Sequence, residues 1–216
     1  MTPALISNPL EYSSSDLPSQ VVNEFAAHAA ESFSSEMDCR GRTGRGQAAH
    51  LLEWHPDFLV HLVHTCDEEL ELIASSGVPA VACPRCNCIL GDGQPRLAEW
   101  ARCGLRFGLG TDNVMFNSPD MLREMDFASR LVRGQERNAA VLEPRQFLRA
   151  ATIEGARILK LDGELGSLSS GKEASFIAFD LNSPNLKYQQ DPISAVVHRA
   201  SPADIAGIWV AGEQIK

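Results

Sequence analysis

The 216 residues predict an α/β protein built on a parallel sheet, and three observations carry that expectation. Short apolar runs recur along the chain, segments of helical spacing separate them, and each run ends on a residue able to bind a metal or carry a proton. Strand and helix in alternation mark parallel βα units. In a parallel α/β barrel, polar residues just past the strand C-termini line the active site, so the chemistry is expected at the ends of these runs.

The first run, in Glu24 to Glu31, carries His28 near its end and places the acid Glu31 three residues later. A neutral imidazole suits zinc or iron, and a neighbouring carboxylate can move a proton. Phe58 to His64 comes next, with His61 and His64 near its end. Period-two alternation puts these two on opposite faces, so at most one of them faces a pocket. Asp67 to Ile73 then has helical character. The third run, Val78 to Ala82, ends in Cys83-Pro84-Arg85-Cys86-Asn87, and after the Gly91-Asp92-Gly93 turn Pro95 to Trp100 predicts another helix. In the fourth, Leu105, Phe107 and Leu109 alternate with Arg106 and Gly108 before the chain turns at Gly110-Thr111 and delivers Asp112. Each end is bland by itself: a lone His after an apolar run is commonly a satisfied core residue, and a turn Asp commonly caps the next segment.

Beyond Asp112, Asn117-Ser118-Pro119-Asp120 offers a cap and a first-turn proline for a helix over Met121 to Leu131, whose apolar residues have amphipathic spacing. A second helix is expected from Pro144 to Leu159, a hairpin turn at Gly171-Lys172, and strands over Ala174 to Phe179 and Ile205 to Val210. Residues Met1 to Asp16 read as a loop, and only a very short amphipathic stretch separates Ser15 from Asn23.

Taken in order, the HxxE of His28 to Glu31, the HxxH and acidic run from His61 to Glu69, Cys-Pro-Arg-x-Asn at Cys83 to Asn87, and Gly-Thr-Asp at Gly110 to Asp112 resemble the amidohydrolase superfamily. The branch they resemble holds the adenosine-type, guanine and cytosine deaminases and the triazine chlorohydrolases. The likeness continues through Ala151 to Arg157 and Gly166 to Ala174, although Ser175 stands where the family carries an Asp. It implies a partial (β/α)8 TIM-type barrel over residues 1–160, comprising the fifth to eighth strands and their helices. C-terminal β-sandwich strands would come after it, over 161–216.

The resemblance also implies roles. His28 matches a metal ligand, Asp112 a second ligand and the acceptor of the water's proton, and Glu31 the acid that protonates a ring nitrogen and touches substrate. His61 matches the histidine that polarises or orients the attack, and Asn87 falls in a substrate-binding loop. The cofactor would be a divalent metal, zinc or in its place iron, which lowers the pKa of water towards neutrality. The reaction would be hydrolysis of a carbon–nitrogen bond other than a peptide bond, in the deamination of a purine or related heterocycle.

One departure is large. The family takes two metal ligands from a His-x-His pair on its first barrel strand, and no such pair occurs among the six histidines here. Catalytic zinc usually has three protein ligands and an open position. The expectation is therefore a truncated or degraded copy, clipped at both ends. An alternative is a non-catalytic remnant or subunit that needs a second copy or a complementary N-terminal half carrying the His-x-His strand.

Composition narrows the remaining classes. A net charge of −9 argues against nucleic acid. No apolar run approaches the roughly 20 residues of a membrane span, and no secretory pattern opens the chain. The expectation is a cytoplasmic protein with reduced thiols and a small heterocyclic substrate. Cys83-x-x-Cys86-x-Cys88 resembles half a metal knuckle, which leaves a small cysteine–zinc module as a third reading. The remaining spacings fit no C-x-x-C pair.

Overall fold

The computed structural model describes residues 4–6, 25–188 and 190–216. Its main sheet has five strands, β1 (Ala4–Ile6), β2 (Phe25–Ala29), β3 (Phe58–His61), β4 (Ala80–Ala82) and β5 (Phe107–Leu109), adjacent in chain order. Every neighbouring pair is parallel. The crossovers are helical: α1 (Phe33–Thr43) and α2 (Gln47–Leu51) join β2 to β3, and α3 (Asp67–Ser76) joins β3 to β4. The helices α4 (Pro84–Leu90) and α5 (Leu97–Arg102) join β4 to β5. Three more come after β5, α6 (Met121–Glu136), α7 (Pro144–Ala150) and α8 (Ile153–Ile158). Parallel neighbours in sequence order with helical crossovers are the repeating step of a (β/α) barrel, here open, since β1 and β5 do not pair with each other.

Period-two alternation divides the sheet into two faces. Ala27, Ala29, Leu59, Ala80, Ala82 and Leu109 meet the helices in the larger core, with Leu51, Leu70, Ile73, Leu97, Trp100 and Phe147 from the helical layer. Alanines on the strands leave room for these larger side chains, and Trp100 is wholly buried, edge-on to Phe107 at 6.0 Å between centroids. The opposite face is a smaller cluster of Ala26, Phe58, Val60, Cys83, Cys86 and Ile158. The last of these comes from α8, which lies against β5 because Gly108 leaves the space: a Cβ there would meet Ile158 Cδ1 at 3.0 Å and Gly155 Cα at 3.5 Å.

Several expectations need correction. The segment read as an N-terminal loop contains β1, which pairs Ala4 with Phe25 and Ile6 with Ala27. Residues 7–24, including the short amphipathic stretch before the first run, lie outside the described residues. The helix expected from Pro144 to Leu159 is two helices, because Thr152 leaves helical geometry (φ −131°, ψ −98°) where the chain makes room for Gly166, at which a Cβ would stand 2.7 Å from Ala156 Cβ. Pro119 stands outside α6; Asp120 is the N-cap, and its side chain accepts from the Leu122 and Arg123 amides. Four helices, α1, α2, α4 and one over Pro192–Arg199, have no counterpart in the expectations from apolar patterning.

After residue 161 the chain forms β6 (Phe176–Phe179), α9 (Pro192–Arg199), β7 (Ile205–Val210) and β8 (Glu213–Gln214). The strands form one antiparallel sheet in the order β6-β7-β8, and among the described residues this segment has no second sheet of the kind a sandwich requires. Ser175 serves this sheet's turn, its Oγ accepting from the Ala211 amide at 2.9 Å. The helix α9 packs on α6 and α7, with His198 between Ser129 Oγ at 2.9 Å and Ser194 Oγ at 3.2 Å. No helix among the described residues is long and apolar enough to cross a membrane.

Candidate metal centre

The C-terminal ends of β2 and β3 bring three of the expected residues together. Register pairs His28 with Val60 and Ala29 with His61, so the two histidines are one step apart along neighbouring strands. Strict alternation would turn His61 to the helical side with Leu59. Instead the backbone turns left-handed at His61 (φ 75°) and Leu62 (φ 50°), and the His61 ring stands edge-on to His28 with centroids 4.6 Å apart. His61 Nε2 lies 3.2 Å from His28 Nδ1 and 3.5 Å from Glu31 Oε1, and Glu31 Oε2 lies 3.8 Å from His28 Nδ1. His28, Glu31 and His61 thus each offer a ligand atom within 4.8 Å of the others, the one set of three such residues among those described. His64 is elsewhere, its Nε2 2.6 Å from the Asp92 carbonyl oxygen.

Glu31 reaches this point through a bend at Ala30, which takes φ 50° although it is not glycine, at a cost of roughly 1–2 kcal/mol. Both backbone groups at the bend are used. The Ala30 N–H donates to Gln47 Oε1 at 2.8 Å, and the Ala30 carbonyl accepts from the His64 N–H at 2.9 Å. Ser32 is next, as N-cap of α1, so Glu31 sits just outside a helix N-terminus. His28, with Nδ1 3.8 Å from Oε2, holds the Glu31 carboxyl below its ordinary value against the opposing effect of burial.

His61 is completely buried, and that burial holds its pKa below the ordinary histidine value, although Glu31 pulls the other way. Its ring is therefore neutral at pH 7. On the far side, Asn87 Nδ2 is 3.0 Å from His61 Nδ1. In this orientation the amide donates, Nε2 carries the imidazole proton, and Asn87 Oδ1 is buried without a hydrogen-bond partner. Exchanging the amide oxygen and nitrogen would make Nδ1 the donor and leave a lone pair on Nε2 facing His28 and Glu31. Two imidazole nitrogens and a carboxylate oxygen suit a borderline divalent ion, and the orphaned Asn87 oxygen is what the second tautomer would satisfy. The donor set fits zinc or iron.

Asp112 lies just past β5 at the same edge of the sheet, in a left-handed conformation (φ 57°), but is not one of the three clustered residues. Its charge reaches His61, Cys83 and Cys86. Burial, reinforced by Asp112, pushes the Cys86 thiol up to about 12 and the Cys83 thiol well above its ordinary range. All six cysteines are free thiols, and none of them enters a three-residue ligand set, so the structure lends the cysteine–zinc module no support. Asn87 is fully buried with its amide on His61.

Two groups escaped the sequence reading. Glu124, buried on α6, accepts from the Arg85 N–H at 3.0 Å and so anchors α4, the helix that carries Asn87. Gln47 holds the Ala30 bend from 17 positions away. Neither lies in an apolar period; the glycines flanking Arg45 were the sole local sign of a tight passage before Gln47.

The amidohydrolase family model matches residues 21–215. The chain is similar to the 5-methylthioadenosine/S-adenosylhomocysteine deaminase of Teredinibacter turnerae, at 36% identity over 160 residues, which are 72% of this chain and 36% of that protein. A putative aminohydrolase of Methanothermobacter thermautotrophicus is 32% identical over 189 residues, 88% of this chain and 46% of its own. Among solved structures, an adenosine deaminase from Xanthomonas campestris with bound zinc superposes with a TM-score of 0.83 at 27% identity, covering 88% of this chain and 45% of that one. The chain spans less than half the length of the relatives it matches.

Proposed function

The chain belongs to the amidohydrolase family, and on that premise we propose that it carries the later half of the active site of a metal-dependent hydrolase that deaminates a purine or related heterocycle. The observation that carries this reading is the meeting of His28, Glu31 and His61 at one strand edge, in a chain whose relatives are named as deaminases. A divalent ion would be held by His28 and Asp112, with the His28, Glu31 and His61 set as the other arrangement these residues offer. When bound, it supplies the positive charge that acidifies water.

The chain's own residues do the rest. Asp112 takes the proton of the attacking water. Glu31 is a carboxylate at rest, because His28 lowers its pKa, so it takes up a proton from solvent and hands it to the ring nitrogen, and Asp112 passes the proton it took from water to the departing amine. His61, neutral through burial, orients the attack with a ring whose direction Asn87 sets. Asn87 thereby acts through His61. Residues 1–160 would form the barrel portion, and 161–216 a unit that returns α9 to it.

The open sheet leaves room for a second reading: the site is completed by a His-x-His strand that these residues do not supply, from a longer form of this chain, a second copy or a separate chain. Metal content of the purified chain, measured by mass spectrometry for wild type, His28→Ala and Asp112→Ala, tests the proposal. About one zinc or iron per chain, lost in both variants, supports a site assembled by these residues. A folded wild-type chain that takes up no metal would overturn it for this chain and favour the partner reading.

A further inference from the structure

We propose that Gln47 is a positioning residue for the His28 and Glu31 pair, held in place by a buried ion network on the helical side; the proposal rests on the metal-centre reading above. His28 and Glu31 can point to one spot only if the chain bends between them, and it does so at Ala30, in the left-handed region that alanine rarely adopts. A buried amide at such a bend needs an acceptor. The Gln47 side chain provides it, Oε1 accepting from the Ala30 N–H at 2.8 Å, with both residues buried.

Gln47 is itself fixed by groups that have no contact with the site. Its backbone N–H donates to Glu36 Oε2 at 3.0 Å, and the preceding Gly46 N–H donates to Glu69 Oε1 at 2.8 Å. Arg40 bridges the two carboxylates, with Nε 2.7 Å from Glu36 Oε1 and Nη2 2.6 Å from Glu69 Oε2. The network ties α1, α2 and α3 together at the point where α2 begins. Gly46 is required there: a Cβ would stand 2.3 Å from both Glu36 Oε1 and Glu69 Oε1. Two buried acids and one arginine thus direct their hydrogen bonds to two consecutive amides whose neighbour is the side chain holding the bend. Packing alone would be met by an apolar residue at position 47; an acceptor aimed at Ala30 would not.

The test compares Gln47→Leu, which removes the acceptor, with Gln47→Glu, which keeps one, and with Leu51→Ala, which loosens the same helix α2 without touching the bend. Two readouts are taken on the 216-residue chain: hydrogen exchange of the Ala30 amide without metal, and zinc affinity by competition with a chromogenic chelator. Gln47→Leu is expected to speed Ala30 exchange at least roughly 100-fold beyond any change in Leu51→Ala, and to weaken zinc about 10- to 100-fold, as loss of an outer-shell partner does. Gln47→Glu should recover most of both. Equal effects of Gln47→Leu and Leu51→Ala on Ala30 exchange would overturn the proposal, leaving Gln47 as ordinary packing. If no variant and no wild type binds zinc while Ala30 still responds to Gln47→Leu alone, the positioning role stands and the metal reading fails.

Discussion

Glu124 makes the stability of this protein depend on pH in a direction opposite to that of most carboxylates. The side chain is fully buried on α6, Oε1 accepts from the Arg85 amide, and Oε2 has the Arg85 guanidinium at 3.5 Å as its nearest cation. Burial outweighs Arg85, and the pKa is pushed from an ordinary 4.5 up to about 7. A folded-state pKa above the unfolded one means that the native protein binds this proton more tightly. The stability that the proton confers is therefore complete below 4.5 and is lost as pH rises through 7. At about 1.4 kcal/mol per pH unit, the gap between those values comes to roughly 3 kcal/mol. Glu124→Gln keeps an oxygen for the Arg85 amide and removes the ionisation. Urea unfolding of both proteins at pH 5 and pH 8 measures the difference: wild type should lose about 2–3 kcal/mol more than the variant between the two. Parallel pH dependences in the two proteins would refute the reasoning, and would mean that water or Arg85 satisfies the ionised carboxylate at no net cost.

Two further outcomes are expected. Asn87→Ala leaves His61 Nδ1 buried without its partner and should cost about 1–3 kcal/mol in urea unfolding, together with a shift of the His61 ring nitrogens in 15N NMR; a variant with unchanged His61 resonances would disprove the Asn87–His61 contact. Trp100→Ala empties the largest wholly buried side chain of the helical core and should cost about 3–5 kcal/mol by the same measurement, with a loss under about 1 kcal/mol showing that α5 is not packed as described.

The order of strands and the chemistry at their ends were legible in the residues themselves. Runs at Phe25, Phe58, Ala80 and Phe107 are strands, and His28, His61, Cys83 and Asp112 stand at their ends, because burial against helices demands continuous apolar stretches and leaves polar groups to the tips. That Gly108 of the fourth run leaves the space in which α8 reaches β5 appears only in the packed fold. Apolar pattern did not disclose α1, α2 or α4, which are too polar or too short to show a period, and α9 was not anticipated either. It misread the Thr152 break, where the chain packs closely against a glycine 14 positions later.

Local apolar pattern was enough to say which residue types arrive at the sheet edge and in what order. Which of them meet is a property of the packed fold. His61 faces His28 because two successive left-handed residues break the pleat, Glu31 turns back because Gln47 accepts the Ala30 amide, and Asn87 reaches His61 because Glu124 holds α4. Each of these rests on a buried polar group finding its partner across the fold, and a partner chosen by the path of a crossover helix leaves no period in the chain that supplies it.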